Sequence, residues 1–435
     1  MKGEGKIMGI KLMLLIVFFV VMVAVGLYSR KHARSVDGFV LGGRSVGPWL
    51  TAFAYGTSYF SAVVFVGYAG QFGWKYGLAS TWIGIGNAVL GSLLAWVVLG
   101  RRTKVMSQHL KSKTMPDFFG ERYGSKALKI MASAIVFVFL VPYTASIYNG
   151  LSRLFEMAFD IPYTYCVVVM AVFTGIYVIL GGYMATAIND FIQGIIMLIG
   201  IVAVIAAVLS GQGGFIDAVR KMAELPSDVP VTMGQPGAFT SFFGPDPLNL
   251  LGVVILTSLG TWGLPQMIGK FYAIKDEKAI NTGTVISTLF ACVVAGGSYF
   301  LGGFGRLFDG KAIYDETGNV VFDRIIPHML SSLPDILIGI VVVLVLSASM
   351  STLASLVLTS SSTLTLDFLK DNVIKDISEK KQVRTMQVLI VFFIVVSVVI
   401  ALDPPTFIAQ LMGISWGALA GAFLAPFLYG LYWRG

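Results

Sequence analysis

The chain has 435 residues, of which 56% are hydrophobic and only 12% are charged, and this balance excludes an ordinary soluble globular protein. The formal net charge of +8 is spread over short segments between apolar runs, so it does not form the single basic face that binds nucleic acid. Apolar runs of about twenty residues recur along the chain, which is the length that an α-helix needs to cross a bilayer. We therefore predict an all-α polytopic membrane protein.

The apolar runs predict eleven transmembrane helices. The first lies near residues 9–28 and has no small-residue cleavage pattern after it, so we interpret it as a retained helix and not as a signal peptide. The others lie near residues 48–73, 77–100, 127–149, 161–181, 189–210, 247–270, 282–305, 335–366, 385–402 and 406–432. The proline-rich segment between the sixth and seventh spans predicts a loop with a short amphipathic helix near 214–225.

Lysine and arginine predict the orientation, because cytoplasmic loops hold an excess of these residues. An N-terminus outside the cytoplasm places them in cytoplasmic loops by about two to one. The predicted parts are an extra N-terminal helix with a basic cytoplasmic loop, a first half of five helices, an extracellular loop, and a second half of five helices with the opposite topology. Their ranges are 1–46, 47–210, 211–246 and 247–435. The expected location is the plasma membrane of a bacterium, the inner membrane where there are two.

Each half begins with an interrupted helix. Residues 51–73 contain four glycines and several hydroxyls, and residues 247–270 contain Gly260, Gly263 and Pro265. Backbone groups freed within the hydrocarbon are tolerated where they line a cavity or coordinate a ligand. Paired interruptions at corresponding positions predict a transport site between the two halves. The alternative is that the small residues only allow close helix packing.

Serine and threonine side chains are concentrated in the ninth span, between residues 347 and 365. Ser351 and Ser355 are four residues apart and Ala348 precedes Ser351 by three, so one helix face can offer hydroxyl and carbonyl oxygens together. Two hydroxyls with three carbonyls suit Na⁺ without a carboxylate. Tight packing of small residues is again the alternative.

Asp190 stands near the predicted start of the sixth span. Acids within a membrane span are functional candidates because a buried unpaired carboxylate is costly, so we predict an ion pathway past Asp190. The alternative is that Asn189 or Asp190 caps the sixth helix. Tyr143, Trp262 and Gln266 lie near the predicted midplane and are candidate solute contacts.

The sequence contains none of the nucleophile-elbow, phosphate-loop or zinc-protease motifs of enzymes. Cys166 and Cys292 lie in apolar runs and the three histidines are scattered, so no disulfide framework or metal cluster is predicted. We predict that the protein is not an enzyme and carries no cofactor.

Eight ordered segments resemble the sodium:solute symporter family, within its proline and pantothenate permease branch. In chain order they read GGRS, SYFSAVVFVGYAGQFGWKYG, MPDFFGERYG, YTAS, RLFEMAFDIPY, GGYMATAINDFIQG, WGLPQ with the KDEKA loop, and SASMSTLASLVLTSSSTLTLD. The resemblance covers essentially the whole chain. It implies a five-plus-five inverted-repeat (LeuT-like) core with one extra N-terminal helix, and a symporter that couples inward Na⁺ flow to uptake of a small solute.

The resemblance also implies site residues. Sodium would be bound by the backbone carbonyls of Thr57, Phe60 and Ala348 and by the hydroxyls of Ser351 and Thr352. Asp190 matches an acid on the inner sodium path. The predicted solute contacts are Ser61, Gly67, Tyr143, Trp262 and Gln266.

Two departures from the family pattern bear on stoichiometry and substrate. Some members hold a second sodium at two hydroxyls one turn further along, where this chain has Ala354 and Ser355, so one Na⁺ is expected. Proline permeases have a tryptophan where this chain has Val63. The expected solute is pantothenate-like, an amino acid such as proline, or a monocarboxylate, and the oligomeric state is left open. The alternatives are a proton-coupled carrier on the same fold, or a solute channel or sensor.

Overall fold

The computed structural model describes residues 2–159, 161–374 and 377–433, which form helices and loops with two isolated bridges and no β-strand. The α-helices are α1 Lys2–Ser29, α2 Val36–Leu41, α3 Pro48–Tyr59, α4 Ala69–Tyr76, α5 Thr81–Gly86, α6 Arg101–His109, α7 Met115–Tyr123, α8 Lys126–Phe159, α9 Tyr163–Gly211, α10 Phe215–Glu224, α11 Pro247–Leu259, α12 Pro265–Ala273, α13 Glu277–Gly302, α14 Ile325–Ser331, α15 Asp335–Thr363, α16 Lys370–Asn372, α17 Glu379–Leu402 and α18 Ile408–Tyr432. π-Helical stretches lie at Val63–Tyr68, Asn87–Leu94, Trp96–Gly100 and Leu364–Leu369. The predicted amphipathic helix is confirmed as α10.

Within the described residues, eight helical stretches are long and apolar enough to cross a membrane, or nine when one bent pair is counted as a span. Two of these stretches, Val63–His109 and Tyr163–Gly211, contain 47 and 49 residues. At 1.5 Å per residue each is more than 70 Å long, over twice the roughly 30 Å of bilayer hydrocarbon. The first contains Gly77 at φ 60° and the second contains Gly182 at φ 53°, a backbone conformation that ends a regular right-handed helix.

The first predicted interruption is confirmed, but it does not fall at a glycine. Helix α3 ends at Tyr59, Phe60 is extended at φ −89° and ψ 113°, and the chain resumes as the π-helix at Val63. The glycines on either side allow close packing: a Cβ on Gly56 would lie 2.4 Å from the Phe290 ring, too near for a real contact. Glycine packing and helix interruption therefore both occur in this segment, at different residues.

The second interruption is also confirmed. A 3₁₀ turn at Gly260–Gly263 follows α11, Leu264 is extended at φ −86° and ψ 119°, and α12 begins at Pro265. The two helical segments are bent by 51°. Proline suits the first position of α12 because a backbone N–H at that position would have no intrahelical partner, so its absence costs nothing.

The span that contains α15, Asp335–Leu369, is the most enclosed of the candidate spans. In its apolar stretch of 18 residues 72% is buried, against 28% in the corresponding stretch of the span at Leu12–His32. Helix α15 packs against α9, α8 and α3. The dense hydroxyls of α15 therefore face protein and not lipid, because nearly all of its residues from Ser347 to Thr363 are buried.

Candidate functional site

The interruption after α3 meets the middle of α15. The Thr352 hydroxyl lies 3.0 Å from the Thr57 carbonyl oxygen, 3.2 Å from that of Phe60 and 3.1 Å from that of Ala348. The Ser351 hydroxyl lies 3.2 Å from the Thr57 carbonyl and 3.0 Å from the Ala348 carbonyl. All five residues are buried. The structure thus brings together the five residues that the sequence analysis proposes for sodium, and we call them the five-oxygen cluster.

The five-oxygen cluster has more acceptors than protons. Two hydroxyls supply two protons, while three carbonyl oxygens offer two lone pairs each. The carbonyls of Thr57 and Phe60 stand at the interrupted end of α3, where helix carbonyls lack intrahelical partners and carry the negative end of the helix dipole. Such a group of buried oxygens can bind a hard monovalent cation.

A chain of polar contacts continues from the five-oxygen cluster by one turn of α15. The hydroxyl oxygens of Ser58 and Ser355 are 2.9 Å apart, and Ser58 also contacts the Ala54 carbonyl. Lys270 of α12 donates from Nζ to the Ser355 hydroxyl at 3.0 Å. The same ammonium lies 3.7 Å from Asp190 Oδ2 and 5.1 Å from the centroid of the Tyr183 ring. We call Asp190, Lys270, Ser355 and Ser58 the lysine chain.

Asp190 does not cap a helix, so the capping alternative is wrong. The second part of α9 begins after Gly182 and not near Asn189, which places Asp190 within regular helix. Across the described chain, neither carboxylate oxygen of Asp190 accepts a hydrogen bond. Its side chain is 1% exposed and its ion pair with Lys270 is itself buried. The structure therefore gives Asp190 a charge partner that sequence reasoning missed.

Sequence reasoning missed Lys270 because the predicted seventh span ends at residue 270, which places this lysine at the very end of the span. In the structure α12 continues to Ala273 and the Lys270 side chain is 3% exposed. The signal was available: a lysine between apolar residues at the end of a span is a candidate intramembrane charge that needs a partner.

Tyr143, one predicted solute contact, packs edge-on against Trp416 of α18, with the ring centroids 6.0 Å apart. A Cβ on Gly260 would lie 3.6 Å from the same indole, so Trp416 lies between α8 and the second interruption. In the described structure the Tyr143 hydroxyl and the Trp416 Nε1 have no hydrogen-bond partner although both are buried. Sequence reasoning missed Trp416, which looked like any apolar aromatic of the eleventh span.

The remaining predicted solute contacts are buried in different surroundings. Ser61 accepts a hydrogen bond from the Val63 amide at 3.2 Å, and Trp262 donates from Nε1 to the Leu90 carbonyl at 3.0 Å. Gly67 packs against Ile408, where an added Cβ would lie 3.1 Å from Ile408 Cγ2. Gln266 is 2% exposed, and its amide has no partner within the described part of the chain.

A small cavity lies beside the lysine chain on the side of Thr114 and Lys113. Its volume of about 40 Å³ has room for a few water molecules. Its lining includes Lys270, Ser355 and Gln266, and the hydroxyl residues Thr359, Ser362 and Thr363 of the next turns of α15. The lining is therefore polar along one face of α15, from the lysine chain towards the loop before α7.

Comparison with known proteins identifies the family. The sequence profile of the Sodium:solute symporter family matches residues 39–435. The Sodium/proline symporter of Staphylococcus aureus (strain JH9) is 31% identical over an alignment of 437 residues with its gaps, which covers 96% of this chain and 80% of that protein.

Likeness to solved structures also extends over most of the chain. The substrate-bound outward-open state of a Na⁺-coupled sialic acid symporter superposes with a TM-score of 0.79 at 15% identity, covering 97% of this chain and 86% of that one. The crystal structure of MhsT in complex with L-phenylalanine superposes with a TM-score of 0.56 at 14% identity, covering 86% of each chain.

At these identities the solved structures establish the fold alone, and that fold is of the LeuT type that the family resemblance implies. The family profile and the curated relative establish more, because they span nearly the whole chain. They identify a multi-pass membrane transporter, with Na⁺ and a solute as its partners. The chain therefore belongs to the sodium:solute symporter family, and its activity is sodium-coupled transport.

Proposed function

We propose that the protein imports a small organic solute together with Na⁺ by alternating access, and that the five-oxygen cluster is its sodium site. The observation that carries this proposal is the convergence of five buried oxygens from the interrupted end of α3 and from α15, with hydroxyl-to-carbonyl distances of 3.0–3.2 Å. Three of the oxygens are backbone carbonyls and two are hydroxyls, a ligand set without a carboxylate that suits a monovalent cation. Na⁺ fits this set as the transported ion.

The position of this site couples ion binding to conformation. The interrupted end of α3, with Phe60 directly after it, supplies two of the carbonyls, and α15 supplies the other three oxygens, so Na⁺ would hold the two elements together. A ligand shifts a conformational equilibrium only by its differential affinity for the two states. Separation of the interrupted segment from α15 would remove ligands, and so Na⁺ favours the conformation in which they are joined. In this scheme Na⁺ binds first from outside, orders the interrupted backbone and raises the affinity for solute.

The free energy available for solute accumulation is that released when one Na⁺ moves inward. One positive charge that moves inward across 100 mV provides roughly 2.3 kcal/mol, and a tenfold Na⁺ gradient adds about 1.4 kcal/mol. Together these support accumulation of a neutral solute by a few hundredfold.

We propose eleven transmembrane spans, with the ten after the first arranged as two inverted halves of five. The two glycine breaks support this count, because division of the long stretches at Gly77 and Gly182 brings the nine candidate spans to eleven. The proposed halves are residues 47–210 and 247–435, after the segment 1–46 and joined by the loop 211–246. The two interrupted helices, which open the two halves, are in contact through Tyr55 and Phe271, whose ring centroids are 5.4 Å apart.

We propose an N-terminus outside the cytoplasm, in the plasma membrane of a bacterium. The excess of lysine and arginine in the predicted cytoplasmic segments supports this orientation. Polar contacts support the division of the connecting segments between two sides, since each joins segments predicted for the same side. Arg306 pairs with Asp228 at 2.7 Å between two predicted outer loops. On the predicted inner side, Lys129 pairs with Asp117 at 2.8 Å and Thr114 donates to Asp367 at 2.6 Å.

For the solute we propose a site between the first interruption and Trp416. Buried polar groups are nearly always hydrogen-bonded in folded proteins, so the Tyr143 hydroxyl and the Trp416 Nε1 are groups that a polar solute could satisfy. Ser61 lies beside the interruption, and Gly67, Trp262 and Gln266 are proposed as further contacts. The solute class is a pantothenate-like acid, an amino acid such as the proline of the curated relative, or a monocarboxylate.

The test is uptake of labelled pantothenate, proline and short monocarboxylates into proteoliposomes that contain the purified protein. Uptake is measured with an inward Na⁺ gradient, with choline in place of Na⁺, and with an inward proton gradient. Saturable accumulation that requires Na⁺ would support the proposal and identify the solute. Accumulation driven by protons alone would identify a proton-coupled carrier, and flux that only equilibrates the solute would identify a channel. Binding without movement would identify a sensor.

A further inference from the structure

The Lys270 ammonium lies in surroundings that resemble a cation site. Its Nζ contacts the Ser355 hydroxyl at 3.0 Å and the Asp190 carboxylate at 3.7 Å, and it lies over the Tyr183 ring. Ser58 extends this shell through its 2.9 Å contact with Ser355. A carboxylate, hydroxyl oxygens and the face of an aromatic ring all attract a monovalent cation, whether it is an ammonium group or a free ion.

The Asp190 carboxylate has coordinating capacity that the lysine does not use. An ionised carboxylate offers about four acceptor positions, yet no hydrogen bond reaches either oxygen among the described residues. Lys270 at 3.7 Å compensates its charge without a close hydrogen bond. The oxygens of Asp190 and Ser355 therefore face a position that the Lys270 ammonium occupies, and the Ser58 hydroxyl lies one contact further away.

The lysine chain adjoins the five-oxygen cluster. Ser355 follows Ser351 by one turn of α15, and Ser58 follows Thr57 directly. The two groups of oxygens are thus consecutive along the same pair of elements, α3 and α15. One group has no resident charge, while the other combines Asp190 and Lys270 into a pair with no net charge.

We propose that the Lys270 ammonium is a built-in cation that fills a second cation site, so that the transporter binds one Na⁺ and a neutral residue at position 270 opens the lysine chain to a second Na⁺. The inference rests on the proposed function in that the five-oxygen cluster holds the first Na⁺. A second Na⁺ beside the lysine would leave an uncompensated buried positive charge, which is strongly unfavourable. Without the lysine, the Asp190 carboxylate is the uncompensated charge, and a Na⁺ at the position of the lost ammonium restores neutrality.

The experiment measures equilibrium binding of ²²Na⁺ to the purified full chain in lipid nanodiscs. The proteins compared are the wild type, Lys270→Met, Lys270→Arg, and the double variant Lys270→Met with Asp190→Asn. We expect one Na⁺ per chain for the wild type, two for Lys270→Met, and one for both Lys270→Arg and the double variant. Lys270→Arg keeps the positive charge, and the double variant removes the lysine and the carboxylate together.

The outcomes separate this inference from the proposed function. Two Na⁺ ions in the wild type, or only one in folded Lys270→Met, would overturn the inference and leave the first sodium site in place. A wild type that binds no Na⁺ while Lys270→Met binds one would overturn the proposed five-oxygen cluster and support the inference. Lys270→Gln is the second neutral variant with the same expected result. If neither neutral variant folds, one Na⁺ in the wild type supports the inference and two refute it.

Discussion

Replacement of Thr352 by alanine tests the sodium site most directly. Its hydroxyl lies within 3.2 Å of three carbonyl oxygens, so it occupies the centre of the five-oxygen cluster. The substitution removes one of five proposed ligands and leaves the backbone carbonyls in place. Thr352→Ala should therefore weaken sodium binding more than it disturbs the helix, because alanine has the higher helix propensity.

The magnitude follows from the contact that is lost. An interaction of a polar group with a charged partner contributes about 1.5–3 kcal/mol, and each 1.4 kcal/mol is a factor of ten in affinity. Thr352→Ala should weaken sodium binding by roughly 10- to 150-fold. Thr352→Ser keeps the hydroxyl and should stay within a few-fold of the wild type.

The assay is ²²Na⁺ binding, together with the Na⁺-dependent rise in Tm of the purified protein. A ligand that binds only the folded state stabilises it by about 2.7 kcal/mol when its concentration is a hundred times its Kd, so a weaker site shifts the Na⁺ concentration at which the Tm rises. Ser360→Ala is the matched control: Ser360 lies in the same helix and is fully buried, and its hydroxyl has no hydrogen-bond partner in the described structure. If Thr352→Ala bound Na⁺ as tightly as Ser360→Ala does, the assignment of the five-oxygen cluster would be wrong.

Three further predictions concern stability. Asp190→Asn should lower the free energy of unfolding by about 3–5 kcal/mol because it leaves a buried ammonium unpaired, and the double variant with Lys270→Met should recover most of this loss. An equal loss in both variants in a chemical-denaturation experiment would argue against the ion pair. Gly84→Ala should cost about 1–3 kcal/mol because its Cβ would lie 2.5 Å from Gly296 Cα, whereas Gly252→Ala, with nothing within 4 Å, should not; thermal unfolding of the two variants compares them. Burial raises the pKa of the Asp323 carboxyl in the segment between α13 and α14, although the Ile408 amide donates to it. A raised pKa means that the folded state holds the proton more strongly, so this group's contribution to stability falls as the pH rises from about 3.9, its unfolded value, through the folded pKa. Asp323→Asn should flatten this part of a pH series of unfolding measurements, and an unchanged series would refute the assignment.

Local sequence predicted those features that depend on hydropathy and backbone chemistry. A run of about twenty apolar residues cannot remain in water and forms a helix in lipid because its backbone must bond internally. The glycines and proline at 260–265 likewise predicted the second interruption, and the dense hydroxyls of residues 347–365 predicted either oxygen ligands for Na⁺ or tight helix packing. The family resemblance implies the five residues of the proposed sodium site, and the spacing of Ala348 and Ser351 agrees with it.

The position of the first break was less accessible to sequence. Glycines marked the segment 51–73 as irregular, yet the extended residue is Phe60 and Gly56 serves close packing against Phe290. Whether a glycine ends a helix or admits a neighbour depends on what lies beside it. Only the packed structure contains that neighbour.

Only the tertiary structure determined which charged and aromatic side chains contact each other at the centre of the protein. Lys270 and Asp190 are 80 residues apart in sequence, and Ser58 and Ser355 are 297 apart. Periodicity reports which face of a helix is apolar, but it does not report which distant face packs against it. From the sequence alone, Lys270 stands at the end of a predicted span and Asp190 is a possible helix cap. The packing of α12, α9 and α15 brings the two side chains together. A buried charge requires a partner, and the identity of that partner is determined by the packing of helices that are distant in sequence.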